Sequence, residues 1–248
     1  MIEEFKKYVS NYNLENKNIK LKYEHSFRVM EQSVNIAKSL GLDETDKKLA
    51  EIIGLLHDFG RFEQLKVYNT YNDSKSIDHA NYSVDVLFNN GEIRKYIKSD
   101  SYDNIIKAAI KNHNKFEIEG NLAEKELLHS CIVRDADKID ILYLITILKE
   151  IVIKDTNDQI SKEVIEQFNN KSTIKNATIK NNNERVISYL SFVYDINYIY
   201  TIKYILNNKI MEKYYGLLDN KEMFKPYFDE INKYMVNFIR EGEWNVKS

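Results

Sequence analysis

The chain has 248 residues, of which 43% are hydrophobic and 30% are charged, and its formal net charge is −2. This composition allows a sizeable core, and the near-neutral charge predicts neither a nucleic-acid polymer nor a membrane as a partner. Cys131 is the single cysteine, which excludes a disulfide framework within the chain. The N-terminus is polar, and no run of about 18 apolar residues follows, so we expect a cytoplasmic protein.

Glycine and proline are scarce, with seven and one residues respectively. This scarcity argues against a turn-rich all-β fold and against a glycine-rich loop that cradles phosphate. If the protein binds a phosphorylated compound, metal ions or arginines therefore have to hold the phosphate.

Helical periodicity dominates the chain from its N-terminal part to its end. The first predicted helix covers about 21–40, a second enters at LDETDKK (42–48) and runs to about 58, and the others cover about 79–88, 102–113, 122–153, 184–207 and 221–240. Gly41 and Gly60 are expected to end the first two of them. Residues 63–77 are predicted to be an irregular loop, and at most one short helix is expected between 155 and 183. With no internal repeat and no alternation of strands and helices, the sequence predicts an all-α protein.

Polar, ionisable side chains interrupt this apolar pattern in several places. In GLLHDFGRF (54–62), His57 and Asp58 stand side by side where the pattern enters a core, and burying them without a partner is costly. The downstream stretch IVRDADKIDIL (132–142) brings three aspartates into another apolar helix. Ions such as Zn²⁺, Mn²⁺ and Fe²⁺ accept imidazole and carboxylate ligands, and packed helices can bring such ligands together. A bound cation would explain why the doublet tolerates burial.

The order of these residues resembles the HD-domain superfamily of metal-dependent phosphohydrolases. The pattern of that family is a histidine, a His-Asp doublet and a distant aspartate, and here it is met by His25, His57, Asp58 and Asp137. A subgroup has two extra histidines between the doublet and the final aspartate, which His79 and His113 match. The resemblance covers roughly residues 20–145.

This resemblance implies the domain organisation as well as the metal site. We expect an HD-type metal-binding helical domain at 1–155 and a C-terminal helical extension at 156–248, packed on it as one compact unit. In the subgroup, the aspartate of the doublet bridges two ions, so Asp58 is the expected bridge. The resemblance assigns His25, His57 and Asp137 to one ion. It assigns His79 and His113 to the other.

Two divalent ions, Mn, Fe or Zn, are the cofactors that this ligand set implies, because histidine-rich ligation argues against Mg²⁺ alone. Ions roughly 3.5–4 Å apart can activate water and stabilise an in-line displacement at phosphorus. Arg61, three residues after the doublet, and Arg28, one helical turn after His25, are candidate contacts to a phosphoryl group. Surface ion pairing is the ordinary alternative for both arginines.

Other polar residues receive structural interpretations. His129 lies eight residues before Asp137, about 80° away around a helix, and is not a predicted ligand. Asp135 and Asp140 are expected to cap, to pair or to support the ligand histidines. Asp195, in the apolar stretch SFVYDINYIY, is expected to pair with an arginine or to close the pocket.

The predicted function is that of a binuclear metal-dependent phosphohydrolase acting on a small phosphorylated substrate such as a nucleotide. Asp58 would position both ions, and Arg61 or Arg28 would neutralise charge on the phosphoryl group. Two alternatives remain open: a di-iron oxygenase, because some HD-fold proteins with these six ligands are similar to such enzymes, and a non-catalytic nucleotide-binding HD module. The tyrosine-rich C-terminal helices are a candidate homodimer face. No motif identifies the substrate.

Overall fold

The computed structural model describes residues 1–242, and within that range the chain is helical without any β-strand. The predicted all-α fold is confirmed. The α-helices are α1 (Ile2–Val9), α2 (Lys17–Ser39), α3 (Glu44–Leu56), α4 (Arg61–Tyr68), α5 (His79–Val84), α6 (Asp103–Asn112), α7 (Glu124–Thr146), α8 (Lys162–Asn169), α9 (Asn182–Leu190), α10 (Ile199–Asn207), α11 (Ile210–Gly216) and α12 (Lys221–Arg240). Across residues 1–242, none of these helices combines the length and the apolar character needed to cross a bilayer.

Several predicted boundaries differ from those of the structure. The predicted loop 63–77 is wrong in its first part, because α4 occupies Arg61–Tyr68 and buries Phe62 and Leu65. A helix this short has too few apolar positions for its period to be detected. The predicted helix 184–207 is interrupted by a 3₁₀ segment at Ser191–Asp195, and α7 ends at Thr146 instead of 153.

The chain divides into two compact units, residues 1–137 and 138–248, with the boundary inside α7. The predicted division near residue 155 and the packing of residues 156–248 on the first domain stay predictions. The last positions of that extension, 243–248, lie outside the described residues.

In the first unit, α2 and α3 pack closely because a glycine stands at their crossing. A Cβ atom on Gly54 would lie 2.7 Å from Ser33 Oγ and 2.8 Å from the Cα of Met30, closer than real Cβ contacts allow. Each helix begins at a side-chain cap: Asn16 accepts from two backbone N–H groups of α2, and Asp43 accepts from one of α3. The close approach at Gly54 brings the middle of α2 next to the C-terminal end of α3.

Gly60 allows a second close approach, between the turn after α3 and the start of α5. A Cβ there would lie 2.7 Å from the carbonyl oxygen of His79 and 2.9 Å from the nitrogen of Ser83. The Gly60 N–H donates to Ser83 Oγ at 2.7 Å. The prediction that Gly60 ends the second helix is wrong, because α3 already ends at Leu56. The glycine instead lets the α5 backbone pack next to the His-Asp doublet.

The α1 helix supports the same turn with aromatic side chains. The ring of Tyr8 stacks on that of Phe59 with centroids 3.7 Å apart, and Tyr8 Oη donates to the Phe59 carbonyl at 3.2 Å. Phe5 packs edge-on against Phe62, and it is fully buried. The residue after the doublet is therefore held in an apolar cluster.

The second unit has a hydrophobic core of its own. Side chains from the end of α7 and from α8 to α12 contribute to it, among them Leu142, Val164, Phe168, Leu190, Ile202, Tyr214, Phe224 and Ile231. Asp195, predicted to pair with an arginine or to close the pocket, lies in the 3₁₀ segment. It pairs with a lysine, with Lys138 Nζ 2.7 Å from Asp195 Oδ2.

Candidate metal centre

The His-Asp doublet directly follows α3 and is buried, with His57 and Asp58 0% and 2% exposed. His57 Nδ1 lies 2.8 Å from the carbonyl oxygen of Gly54, one turn earlier. Because a carbonyl only accepts, Nδ1 carries the proton and Nε2 presents its lone pair to a ligand. His113, which follows α6, repeats this arrangement: its Nδ1 lies 2.7 Å from the Ile110 carbonyl oxygen.

The two other predicted histidine ligands come from different elements. His25 lies in the middle of α2 and is fully buried. His79 is the first residue of α5, whose N-cap is Asp78. His79 Nδ1 lies 2.7 Å from an oxygen of Asp73, in the segment 69–78 between α4 and α5 that we call the strap. A side chain, instead of a carbonyl group, therefore sets the tautomer of His79.

The histidines form two pairs in which the Nε2 atoms face each other. The Nε2 atoms of His25 and His57 are 3.2 Å apart, and those of His79 and His113 are 3.0 Å apart. Two nitrogens bound at about 2.0–2.1 Å to one ion stand about 3 Å apart for tetrahedral or octahedral angles. Both separations fit two imidazoles that share an ion.

Asp58 lies between the two pairs, with one carboxylate oxygen toward each. Its Oδ2 is 3.5 Å from Nε2 of both His25 and His57, whereas its Oδ1 is 3.2 Å from His79 Nε2 and 3.5 Å from His113 Nε2. Within each group of three residues, the candidate ligand atoms all lie within 4.8 Å of one another.

Asp137, on α7, joins the first of these groups. Its Oδ1 is 3.2 Å from Nε2 of His25 and 3.8 Å from that of His57. The structure thus brings all six predicted ligands together. We call His25, His57, Asp137 and Asp58 Oδ2 the first half-site. The second half-site consists of His79, His113 and Asp58 Oδ1.

The protonation states suit cation binding. Burial by itself raises the pKa of Asp58, but the charges of Lys22 and His57 outweigh it and hold that pKa well below its usual range. Burial also raises the pKa of Asp137, and the hydrogen bond and charge of His25 reverse that effect. Burial lowers the pKa of His113 to about 4. Ionised carboxylates and a neutral imidazole are the forms in which these groups bind metal.

A lysine that was not predicted makes the shortest contact with Asp58. Lys22 Nζ lies 2.5 Å from Asp58 Oδ2, and only 13% of the Lys22 side chain is exposed. Lys22 is three residues before His25 on α2, so a search along the helical face of His25 would have found it. Arg28, the predicted contact on this helix, is half-buried one turn after His25. Its role toward a substrate stays a prediction.

Arg61 lies beside Asp58 but is held by the strap. Its Nε is 3.6 Å from Asp58 Oδ1, and its Nη1 donates to Gln64 Oε1, to the Tyr71 carbonyl and to Asp73 Oδ1 at 2.6–2.8 Å. The Tyr71 ring lies 5.8 Å from the Arg61 guanidinium and 5.6 Å from Lys22 Nζ. The strap therefore fixes a cation next to each oxygen of Asp58.

Two buried residues of α7 contact groups other than the candidate ligand atoms. His129 Nε2 lies 3.2 Å from Asp46 Oδ1, and Lys125 also pairs with Asp46. Arg134 Nη1 donates to the carbonyls of Asn112, His113 and Lys115, at and just after the end of α6, at 2.7, 3.4 and 2.6 Å. The predicted roles of Asp135 and Asp140 stay predictions; both side chains are buried in α7.

The fold and the site define an all-α protein with a buried histidine and aspartate cluster that fits a divalent metal site. A family model, HD domain, matches residues 23–142, so this region of the chain is similar to HD domains. Neither a curated protein nor a solved structure matches the chain. HD domains occur mostly in metal-dependent hydrolases. The family match also covers the whole stretch between His25 and Asp137.

Proposed function

We propose that this chain is a binuclear metal-dependent phosphohydrolase that acts on a small phosphorylated substrate such as a nucleotide. The observation that carries the proposal is the position of Asp58, whose two carboxylate oxygens face different histidine pairs. A carboxylate in that position can bridge two ions, which is the arrangement found in two-metal hydrolytic sites.

The donor set limits the choice of ion. The half-sites combine imidazole nitrogen with carboxylate oxygen, a mixture that suits Mn, Fe or Zn, whereas Mg²⁺ prefers oxygen ligands and retains water. Divalent ions held there would polarise a phosphoryl oxygen and activate water for attack at phosphorus. Both ions would also compensate the buried carboxylate of Asp58 and the largely buried carboxylate of Asp137.

The chain itself supplies cationic side chains for the phosphoryl group. Its formal net charge is −2, so the positive field that attracts a phosphate has to be local. Lys22 and Arg61 lie next to opposite oxygens of Asp58, and both side chains are largely buried. We propose that they bind phosphoryl oxygens and stabilise the negative charge that develops during displacement.

Metal analysis and a substrate screen test this proposal. Protein purified with supplemented metal should retain about two ions per chain, and fewer than about 0.3 would contradict the proposal. Phosphorylated metabolites should then be screened with Mn²⁺, Fe²⁺ and Zn²⁺ separately, with the release of inorganic phosphate as the readout. We expect turnover of at least one compound in the presence of at least one of these ions.

Oxygen consumption and nucleotide binding, measured on the same metal-loaded protein, separate the proposal from the two alternatives. Oxygen consumption by the iron-loaded protein, without phosphate release, would replace the proposal with an oxygenase. Tight nucleotide binding without any product after long incubation would replace it with a binding module.

A further inference from the structure

Asp73, in the strap, is surrounded by hydrogen-bond donors. Its Oδ2 lies 2.7 Å from Nδ1 of His79 and accepts from Asn114 Nδ2 at 3.2 Å. Its Oδ1 accepts from Arg61 Nη1 at 2.8 Å and from Gln64 Nε2 at 2.9 Å. One oxygen therefore faces a candidate metal ligand, and the other faces a candidate phosphate-binding side chain.

We propose that Asp73 is a positioning residue that couples the second half-site to Arg61. Through Oδ2 it orients the His79 ring so that Nε2 points toward Asp58, and through Oδ1 it holds the guanidinium beside the same carboxylate. The proposal rests on the binuclear site proposed above and goes beyond it, because it assigns a residue outside the ligand pattern to the assembly of the centre.

Three histidines of the centre differ in what their Nδ1 atoms contact. His57 and His113 direct Nδ1 toward backbone carbonyls at the ends of α3 and α6, and no substitution removes a carbonyl. His79 instead depends on a side chain in the strap. Loss of Asp73 should therefore affect the ion at His79 selectively and leave the first half-site intact.

Asp73 acts through His79 and does not share an ion with His79 Nε2. The carboxylate occupies Nδ1, and the two ring nitrogens point away from each other. Burial raises the pKa of Asp73, but the hydrogen bond and charge of His79 and the charge of Arg61 lower it to about 2. The carboxylate is therefore ionised at neutral pH and can strengthen His79 as a ligand.

Asparagine cannot replace this carboxylate, although it has the same shape. An amide has one acceptor and one NH₂ group, whereas both oxygens of Asp73 face donors. In Asp73→Asn, the NH₂ group is a donor and has to face other donors, either those of His79 and Asn114 or those of Arg61 and Gln64. Removal of such a carboxylate partner costs about 10–100-fold in metal affinity.

The test is a titration of metal-free protein with Co²⁺. Calorimetry and the absorption spectrum of the bound ion are its two readouts. The wild-type chain should bind two ions. Asp73→Asn should bind one of them about 10–100-fold more weakly and keep the affinity of the other. The absorption bands of the weakened ion should change, because the ring of His79 is no longer held.

Two further variants complete the test. Asp100→Asn makes the same chemical change at an exposed aspartate of the same unit and should bind both ions like the wild type. Asp73→Glu keeps the carboxylate and should recover part of the lost affinity. A circular dichroism spectrum like that of the wild type will show that each variant folds.

The outcomes separate this inference from the proposed function. If the wild type binds no ion, the proposed function fails. If the wild type binds two ions and Asp73→Asn binds both equally well, only the role of Asp73 fails. Equal weakening of both ions would show a general structural effect and would also overturn that role.

Discussion

Two regions of the chain bury polar side chains almost completely, and they differ in what those side chains contact. In the second unit, Asn183 and Glu184 at the start of α9 are 0% and 1% exposed. Both contact backbone: Glu184 accepts from the N–H groups of Ser161 and Lys180, and Asn183 bonds both backbone groups of Thr156. These side chains are satisfied by the fold itself.

In the first unit, the buried side chains of the metal centre face one another. Imidazole Nε2 atoms lie 3.0–3.2 Å apart, and one carboxylate stands between the two pairs. In the second pair, the Nδ1 atoms of His79 and His113 face Asp73 and the Ile110 carbonyl, so their Nε2 lone pairs face and repel each other. Burial alone therefore does not indicate a binding site. The partners of the buried groups distinguish a structural cluster from a site that holds a cation.

The largest effect should follow from removing the carboxylate that faces both half-sites. Asp58→Ala should lose the retained metal and reduce phosphate release to the background rate, because each half-site loses a negatively charged ligand. The measurements are metal content and turnover, with the helical circular dichroism signal as a check of folding. The matched control is Glu184→Gln, which changes a buried carboxylate of the second unit. Glu184→Gln should retain as much metal as the wild type. A loss of metal in Glu184→Gln would contradict the distinction between the two regions.

A slightly smaller effect is expected from the glycine that lets α5 approach the doublet. Gly60→Ala places a methyl group 2.7 Å from the His79 carbonyl oxygen, so α5 has to move. We expect the free energy of unfolding to fall by up to about 3 kcal/mol, with weaker binding of the ion at the second half-site.

Chemical denaturation and metal titration measure both effects. Gly120→Ala is the control, because a Cβ atom there meets nothing within 4 Å. A Gly60→Ala protein as stable as the Gly120→Ala protein would contradict the close packing of α5.

Changes to the buried pair Asn183 and Glu184 of the second unit should alter the free energy of unfolding and leave metal binding unchanged. Asn183→Ala removes the bonds to Thr156 and leaves its backbone groups without these partners. We expect the free energy of unfolding to fall by about 1–2 kcal/mol, with metal content unchanged. Asn182→Ala, at the exposed neighbouring position, should change stability by less than about 0.5 kcal/mol. Altered metal binding in Asn183→Ala would show that the two regions are not functionally separate.

The smallest effect concerns the buried pair of His129 and Asp46 in the first unit. Burial lowers the pKa of His129, and the hydrogen bond to Asp46 offsets this effect only in part. Between about pH 6.5 and the lower pKa of the folded protein, the unfolded chain binds more protons at this histidine. The contribution of His129 to stability should therefore fall as the pH is lowered through this range.

Urea unfolding of metal-free protein at pH 7 and pH 5 tests this expectation. His129→Gln should lose less stability between the two pH values than the wild type, because it cannot take up that proton. An identical loss in both proteins would show that His129 does not titrate differently in the folded and unfolded chains.

The match to the HD-domain model could be expected from the order of His25, His57, Asp58 and Asp137, which resembles the pattern of that family and stands out in apolar helices. His57 and Asp58 are conspicuous in GLLHDFGRF, and the all-α fold follows from long periodic stretches such as those that became α2 and α12. Short elements were missed, among them α1 and α4, because a helix of eight residues has few apolar positions. Lys22 and Asp73 were also missed: one is an ordinary helix lysine, and the other lies in a segment without periodicity.

The candidate ligands and the helices that carry most of them follow from the amino-acid order, because ligand chemistry belongs to residue type and helical position follows from spacing. Folding in three dimensions is needed to place one oxygen of Asp58 near each histidine pair and to bring Asp73 into contact with both His79 and Arg61. Such contacts depend on the packing of segments that are distant along the chain, such as α2 and α7. No local pattern encodes the distance between two atoms that only packing brings together.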